Sequence, residues 1–124
     1  AHGGGSFPLT VDRIVHGFQA RPDLCQTMTK TSPSEMLKRI YVDSALHGEE
    51  ALRYVISRFG SNRVYLGSDY PFPLGEAPSG SIIEGMDDLD QATQQRLLSG
   101  TALEFLGMSE ADLGNFSPKR ATKA

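Results

Sequence analysis

Two short β-prone runs with one amphipathic helix between them constrain this chain more than any other feature. Residues 40–45, Ile-Tyr-Val-Asp-Ser-Ala, and residues 63–68, Arg-Val-Tyr-Leu-Gly-Ser, carry the β-branched and aromatic side chains that suit strands. Between them, residues 48–59 put Ala51, Leu52, Val55, Ile56 and Phe59 on one helical stripe, while Glu49, Glu50, Arg53 and Arg58 face water. Gly60 follows, a residue suited to closing a helix. A crossover of that length pairs strands in parallel and right-handed fashion. A parallel sheet of two strands is not self-sufficient, because such sheets are covered on both faces and bare edges invite association. A helix at residues 9–18 precedes the unit, and helical segments at 91–98 and 101–106 follow it. The fold class is therefore α/β, in the order helix-strand-helix-strand-helix. That is the pattern of the C-terminal part of a (β/α)8 barrel, incomplete on its own.

The second strand runs directly into Gly67-Ser68-Asp69-Tyr70-Pro71-Phe72-Pro73. The prolines force a turn, so a carboxylate stands where a buried strand ends. In a barrel of parallel strands that end faces the active site. Asp69 reads as a metal ligand or a proton-transfer group, since an unpaired carboxylate there would be strongly disfavoured. The other candidate is His2, on the glycine-rich turn His2-Gly3-Gly4-Gly5-Ser6-Phe7. Glycines permit backbone conformations that let such a histidine lie close to a ligand. Taken alone, a histidine at that place is more often a mobile surface residue. Asp43 ends the first strand, and two roles stay open for it: an outer partner of a site, or a cap on the next turn. His16 and His47 read as surface or partly buried residues.

The rest of the chain is less specific. Pro8 suits the first turn of the helix at 9–18, whose apolar stripe is Val11, Ile14, Val15 and Phe18, and Arg21-Pro22-Asp23 ends or re-aims it. Residues 26–32 read as loop, and Ser32-Pro33-Ser34-Glu35 starts a short helix through about Lys38. Residues 71–80 form a Pro- and Gly-rich loop, and residues 84–90 lead to the next helix. Residues 115–124 read as a frayed tail. The 124 residues suit one domain, and 39% hydrophobic with 22% charged is a globular composition. A net charge of −3 without a basic stripe argues against a nucleic-acid partner. No run reads as apolar enough to cross a membrane, and none reads as a signal peptide. Cys25, the single cysteine, can form no disulfide within the chain and reads as a buried or idle thiol, which fits the cytoplasm.

Several runs together carry a resemblance: His2-Gly3-Gly4-Gly5-Ser6-Phe7-Pro8, Arg13 in its helix, His16-Gly17-Phe18, Arg21-Pro22-Asp23-Leu24-Cys25, Tyr41-Val42-Asp43-Ser44-Ala45, and Leu66 through Glu76. The helix ending Ala102-Leu103-Glu104-Phe105-Leu106-Gly107 fits as well. On these the chain resembles the C-terminal part of a semialdehyde decarboxylase family in the metal-dependent amidohydrolase superfamily. The resemblance covers roughly residues 1–108 and leaves 109–124 as an extension. It implies a (β/α)8 barrel holding one divalent metal, usually zinc, and loss of carbon dioxide from a carboxylated small molecule of tryptophan or nitroaromatic catabolism. It assigns Asp69 as a metal ligand, His2 as the acid/base beside the metal, Arg13 as the arginine that reaches the substrate carboxylate of a neighbouring subunit, and Phe72 as an aromatic lining the substrate. It also implies a homodimer. The family's remaining metal-ligating histidines have no counterpart here, so the chain is expected to be inactive alone. Two other classes stay open, a hydrolase of the same superfamily and a non-catalytic interaction module.

Overall fold

The strands expected at 40–45 and 63–68 are present and parallel, but short. In the computed structural model, which describes residues 2–114, β1 is Val42–Asp43 and β2 is Val64–Tyr65. Val42 pairs with Val64 and Asp43 with Tyr65. The pairing stops early because side chains take over the backbone groups. Ser44 N–H still donates to Tyr65 O at 2.9 Å, but Ala45 N–H donates to Asp43 Oδ1 at 3.1 Å and Gly67 N–H to Ser44 Oγ at 3.2 Å. Beyond Asp43 the chain turns away from the ladder.

The crossover helix α4, Glu49–Phe59, has no special capping side chain, yet its apolar spacing dictates its packing. Leu52, Val55 and Phe59 are buried, Ile56 is half-buried, and Ala51, expected in the stripe, is exposed. Gly60, at φ +86°, closes the helix and donates its N–H to Ile56 O. The core forms where α4 covers Val42 and Val64, and it is completed by Ile83, Met86 and Leu97.

Ahead of the sheet, a tight turn at His2–Gly4 leads into α1, Phe7–Ala20. Its apolar stripe is less buried than its spacing suggests. Pro8 and Val11 are buried, but Ile14 remains 45% exposed. The α4 residues Tyr54, Arg58 and Phe59 meet its Pro8, Asp12 and Phe7, and two short helices pack beside it, α2 at Pro22–Cys25 and α3 at Pro33–Leu37. They leave a groove of about 290 Å³ lined in part by Ile14, Phe18, Cys25 and Met36. Cys25, expected as a buried or idle thiol, is free and exposed.

A helix the sequence did not announce, α5 at Ser81–Gly85, follows the Pro- and Gly-rich loop. Glu76 holds its start: Oε2 accepts Gly80 N–H at 3.1 Å, and Oε1 accepts Ser81 Oγ–H at 3.1 Å and Ile82 N–H at 2.9 Å. Helix α6, Gln91–Gln95, begins at Asp90, whose Oδ1 accepts Thr93 N–H at 2.7 Å. The break expected at Ser99-Gly100 does not occur. A π-helical turn, Arg96–Gly100, carries the chain straight into α7, Thr101–Leu106, with Thr101 N–H donating to Arg96 O. Thr101 is fully buried, and its hydroxyl donates to Ser61 O at 2.9 Å. Gly107, at φ +65°, ends α7.

Where the strands begin, an aromatic and charged cluster fastens α7 to the sheet. The Phe105 ring lies 5.0 Å from that of Tyr41 and 6.1 Å from that of Tyr65. Arg63 sits 4.7 Å over Tyr41 and pairs with Glu104, which also pairs with Arg96. After Gly107, Ser109 and Asp112 form a reciprocal cap on α8, Glu110–Leu113. Residues 115–124, expected to fray, lie outside the described residues. No helix among the described residues is long and apolar enough to cross a membrane.

Candidate active site

Asp43 ends β1, and four residues after β2 the chain reaches Asp69. Parallel pairing in this register brings both carboxylates to one end of the sheet. The His2–Gly4 turn crosses that same end. His2 Nδ1 lies 3.0 Å from Asp43 Oδ2 in a hydrogen bond, and His2 Nε2 lies 3.3 Å from Asp69 Oδ1. The imidazole thus sits between two acids contributed by neighbouring strands.

Local sequence explains how the three residues meet. Gly3, at φ +58°, curls the turn so that its N–H donates to Asp43 Oδ1 at 3.3 Å. Gly67 lets β2 leave beside Asp43: a Cβ at residue 67 would stand 2.7 Å from Asp43 Cβ. Asp69 itself adopts φ +56°, a conformation side chains rarely take. The loop after it holds that shape. Tyr70 N–H donates to Ser68 Oγ at 3.3 Å, Phe72 N–H to Asp69 O at 2.9 Å, and Glu76 N–H to Ser68 O at 3.0 Å. A non-glycine residue in the left-handed region carries strain of about 1–3 kcal/mol, tolerated where the surroundings over-determine it.

The electrostatics follow from the geometry. The hydrogen bond to Asp43 raises the His2 pKa above its ordinary value, and the charge of Asp43 adds to this. Partial desolvation opposes the rise, and Asp69 contributes a little more in the raising direction. His2 is 47% exposed, so water and small solutes reach the ring.

Of the residues singled out in the sequence, the structure brings His2 and Asp69 together. Phe72 lies in the same loop, three residues beyond Asp69, and is 66% exposed. Arg13 is exposed on α1 and makes no hydrogen bond or ion pair with a described residue. His16 and His47 are exposed. For Asp43 both open roles are filled at once, since Oδ1 caps the turn through Gly3 and Ala45 while Oδ2 meets His2. Its signal was a carboxylate ending the strand that neighbours the one before Asp69. Glu76, read only as part of a motif, closes the base of the Asp69 loop.

Among the described residues no three or more His, Cys, Asp or Glu side chains converge to hold a metal ion. Asp69 with His2 beside it supplies part of such a set, because a catalytic zinc takes about three protein ligands plus an open position. The carboxylate is a suitable donor and is half-buried at the strand ends, so the residues present fit a metal site to which other ligands are added.

Known proteins place this arrangement in context. Residues 1–108 match the amidohydrolase family. The chain is 51% identical over 108 residues to a 2-amino-3-carboxymuconate-6-semialdehyde decarboxylase of Dictyostelium discoideum, covering 87% of this chain and 30% of that protein. It is 36% identical over 115 residues to the protein of the same name in Caenorhabditis elegans, covering 93% of this chain and 29% of that protein. The chain therefore spans about 30% of the length of these relatives. Among solved structures, 5-carboxyvanillate decarboxylase LigW from Sphingomonas paucimobilis superimposes with a TM-score of 0.74 at 22% identity, over 87% of this chain and 32% of that one. Metarhizium anisopliae IDCase in its apo form gives 0.68 at 22% identity, over 86% and 32%. At that identity these two show a shared α/β fold.

Proposed function

The chain belongs to the amidohydrolase family, and from that premise we propose that it is the C-terminal portion of a metal-dependent decarboxylase built on a (β/α)8 barrel. The observation that carries the reading is His2 seated between Asp43 and Asp69 at the ends of two parallel strands. It occurs in a chain 51% identical over 108 residues to a named decarboxylase. In a barrel, catalytic groups gather at the C-terminal ends of the strands, where these residues lie. The proposed substrate is 2-amino-3-carboxymuconate 6-semialdehyde, the proposed setting the cytoplasm, and the proposed assembly a homodimer.

Each residue then has a chemical task. Asp69 would hold a divalent ion, zinc in our reading, which would supply Lewis-acid activation of water. His2 moves a proton at Nε2, the ring nitrogen turned toward Asp69, and Asp43 keeps the ring in place. Arg13, exposed and unpaired with any described residue, offers a planar fork for a substrate carboxylate. Phe72 offers an apolar face to a flat, conjugated substrate. Addition of water across the conjugated chain, oxygen to the neighbouring carbon and proton to the carboxyl-bearing carbon, would make that carbon tetrahedral; carbon dioxide then leaves, its bond pair re-forms the double bond, and hydroxide departs, so that a proton has replaced the carboxyl group. The carboxylate-binding arginine and the exposed aromatic favour this reading over hydrolysis of a lactone or amide.

Metal analysis and substrate-loss kinetics test the proposal. The 124-residue chain alone is expected to bind zinc weakly and to show no turnover. Joined to the N-terminal portion of its own protein, it is expected to turn over. In the joined protein, Asp69→Ala loses the metal, while His2→Ala keeps the metal and loses turnover. Full turnover by His2→Ala removes His2 from the mechanism, and strong activity from the isolated chain refutes the fragment reading.

A further inference from the structure

We infer that Asp43 is a positioning residue that fixes which ring nitrogen of His2 carries the hydrogen, so that the Nε2 lone pair is presented to the Asp69 side of the site. A neutral imidazole has one N–H and one lone pair, and the partner of one nitrogen decides the role of the other. Two carboxylates compete for that hydrogen here. Asp43 Oδ2 lies 3.0 Å from Nδ1 with hydrogen-bond geometry, whereas Asp69 Oδ1 lies 3.3 Å from Nε2 as an ion-pair contact.

Asp43 is also the better anchored of the two. Its Oδ1 accepts from Gly3 N–H and Ala45 N–H, which fixes the carboxylate plane and leaves Oδ2 aimed at the ring. Gly67 packs against its Cβ and blocks its retreat. The residue after His2 and the residue two beyond Asp43 are therefore tied to the same side chain. Asp69 has no such double anchor, and its backbone sits in the left-handed region. The acid on β1 thus orients the ring, and the acid after β2 is left free for a cation.

This inference rests on the proposed proton-transfer role of His2 for its meaning, but its test does not involve turnover. The two ring nitrogens of a neutral histidine are told apart by their ¹⁵N resonances, one pyrrole-like where hydrogen is attached and one pyridine-like where it is not. The 124-residue chain, measured at alkaline pH without metal, is expected to show Nδ1 pyrrole-like in about tenfold excess, the scale of a hydrogen bond to a charged acceptor. Asp43→Asn keeps an oxygen for Gly3 and Ala45 but turns a donor toward Nδ1. It should invert the pattern while the melting temperature stays close to wild type. Asp69→Ala should leave the pattern as in wild type. Nδ1 pyridine-like in the unaltered chain overturns the inference, and that measurement stands even where Asp43→Asn fails to fold. Retention of the pattern in folded Asp43→Asn, or its loss in Asp69→Ala, overturns it as well. Decarboxylation assays on the joined protein, failing separately, would refute the proposed function and leave this result untouched.

Discussion

Substituting Gly67 by alanine attacks the site through a single methyl group. Gly67 is not in the left-handed region, so the backbone itself tolerates alanine, and any effect must come from space. The new Cβ would meet Asp43 Cβ at 2.7 Å and Cγ at 3.1 Å. The first contact is closer than real Cβ atoms adopt, and Asp43 Cβ is fixed to the β1 backbone rather than to the tip of a flexible chain. Two responses are open. If β1 and β2 spread, the parallel pairing at Asp43 and Tyr65 stretches, with an overpacking cost of about 1–3 kcal/mol. If the Asp43 side chain swings aside instead, it gives up the N–H groups of Gly3 and Ala45, each worth about 1.5–3 kcal/mol as a bond to a charged acceptor. Either route destabilises by at least about 1 kcal/mol, which lowers the melting temperature of a chain this size by roughly 3–6 °C per kcal/mol. Thermal unfolding followed by circular dichroism measures the loss. The amide proton shifts of Gly3 and Ala45 report which route is taken. An unchanged melting temperature with unchanged Gly3 and Ala45 amides would falsify the claim that Gly67 is required for the fit of Asp43.

Two further outcomes follow from the packing and the charges. Leu52, with no exposed surface at the centre of the core, should lose about 2–5 kcal/mol on Leu52→Ala, read as a lower denaturant midpoint with an unchanged slope. The His2 pKa is raised in the folded chain above its ordinary 6.5, chiefly by the hydrogen bond to Asp43. Its contribution to stability is therefore fully present below about pH 6.5 and is lost as pH rises through the folded value. Melting temperatures measured from pH 5 to 9 should show this decline, and Asp43→Asn should flatten it.

The strand–helix–strand core was readable because its information is local. Periodic apolar residues in α4, β-branched runs on either side and Gly60 each name their own structure, and parallel pairing follows from crossover length. Strand length was not readable, since it depends on Asp43 and Ser44 capturing N–H groups from residues brought in by folding. Helix α5 was missed for a similar reason: it is five residues long and is organised by Glu76 from outside the helix. Asp69 stood out because proline marks the end of its strand. Asp43 was legible only as a strand-ending carboxylate with two roles open, because its partner His2 lies 41 residues away and nothing in the intervening sequence records the contact. Burial on α1 was overestimated because periodicity describes a face without saying whether anything in the chain is large enough to cover it.

The π-helical turn at Arg96–Gly100 has a bearing on how this chain could change its length. Such a turn holds one residue more than an α-helical turn needs, without interrupting the helix. Deleting one residue there would yield a regular α-helix with better local geometry, yet everything beyond it would rotate by about 100° and shift by about 1.5 Å. Thr101 would swing away from Ser61, Leu103 would leave the interior, and Phe105 would no longer reach Tyr41 and Tyr65. The surplus residue therefore acts as a phase setting between two halves of one helix. It lets α6 and α7 each meet its own neighbours, so the residue count of this helix is fixed by the rotation its two ends require of each other.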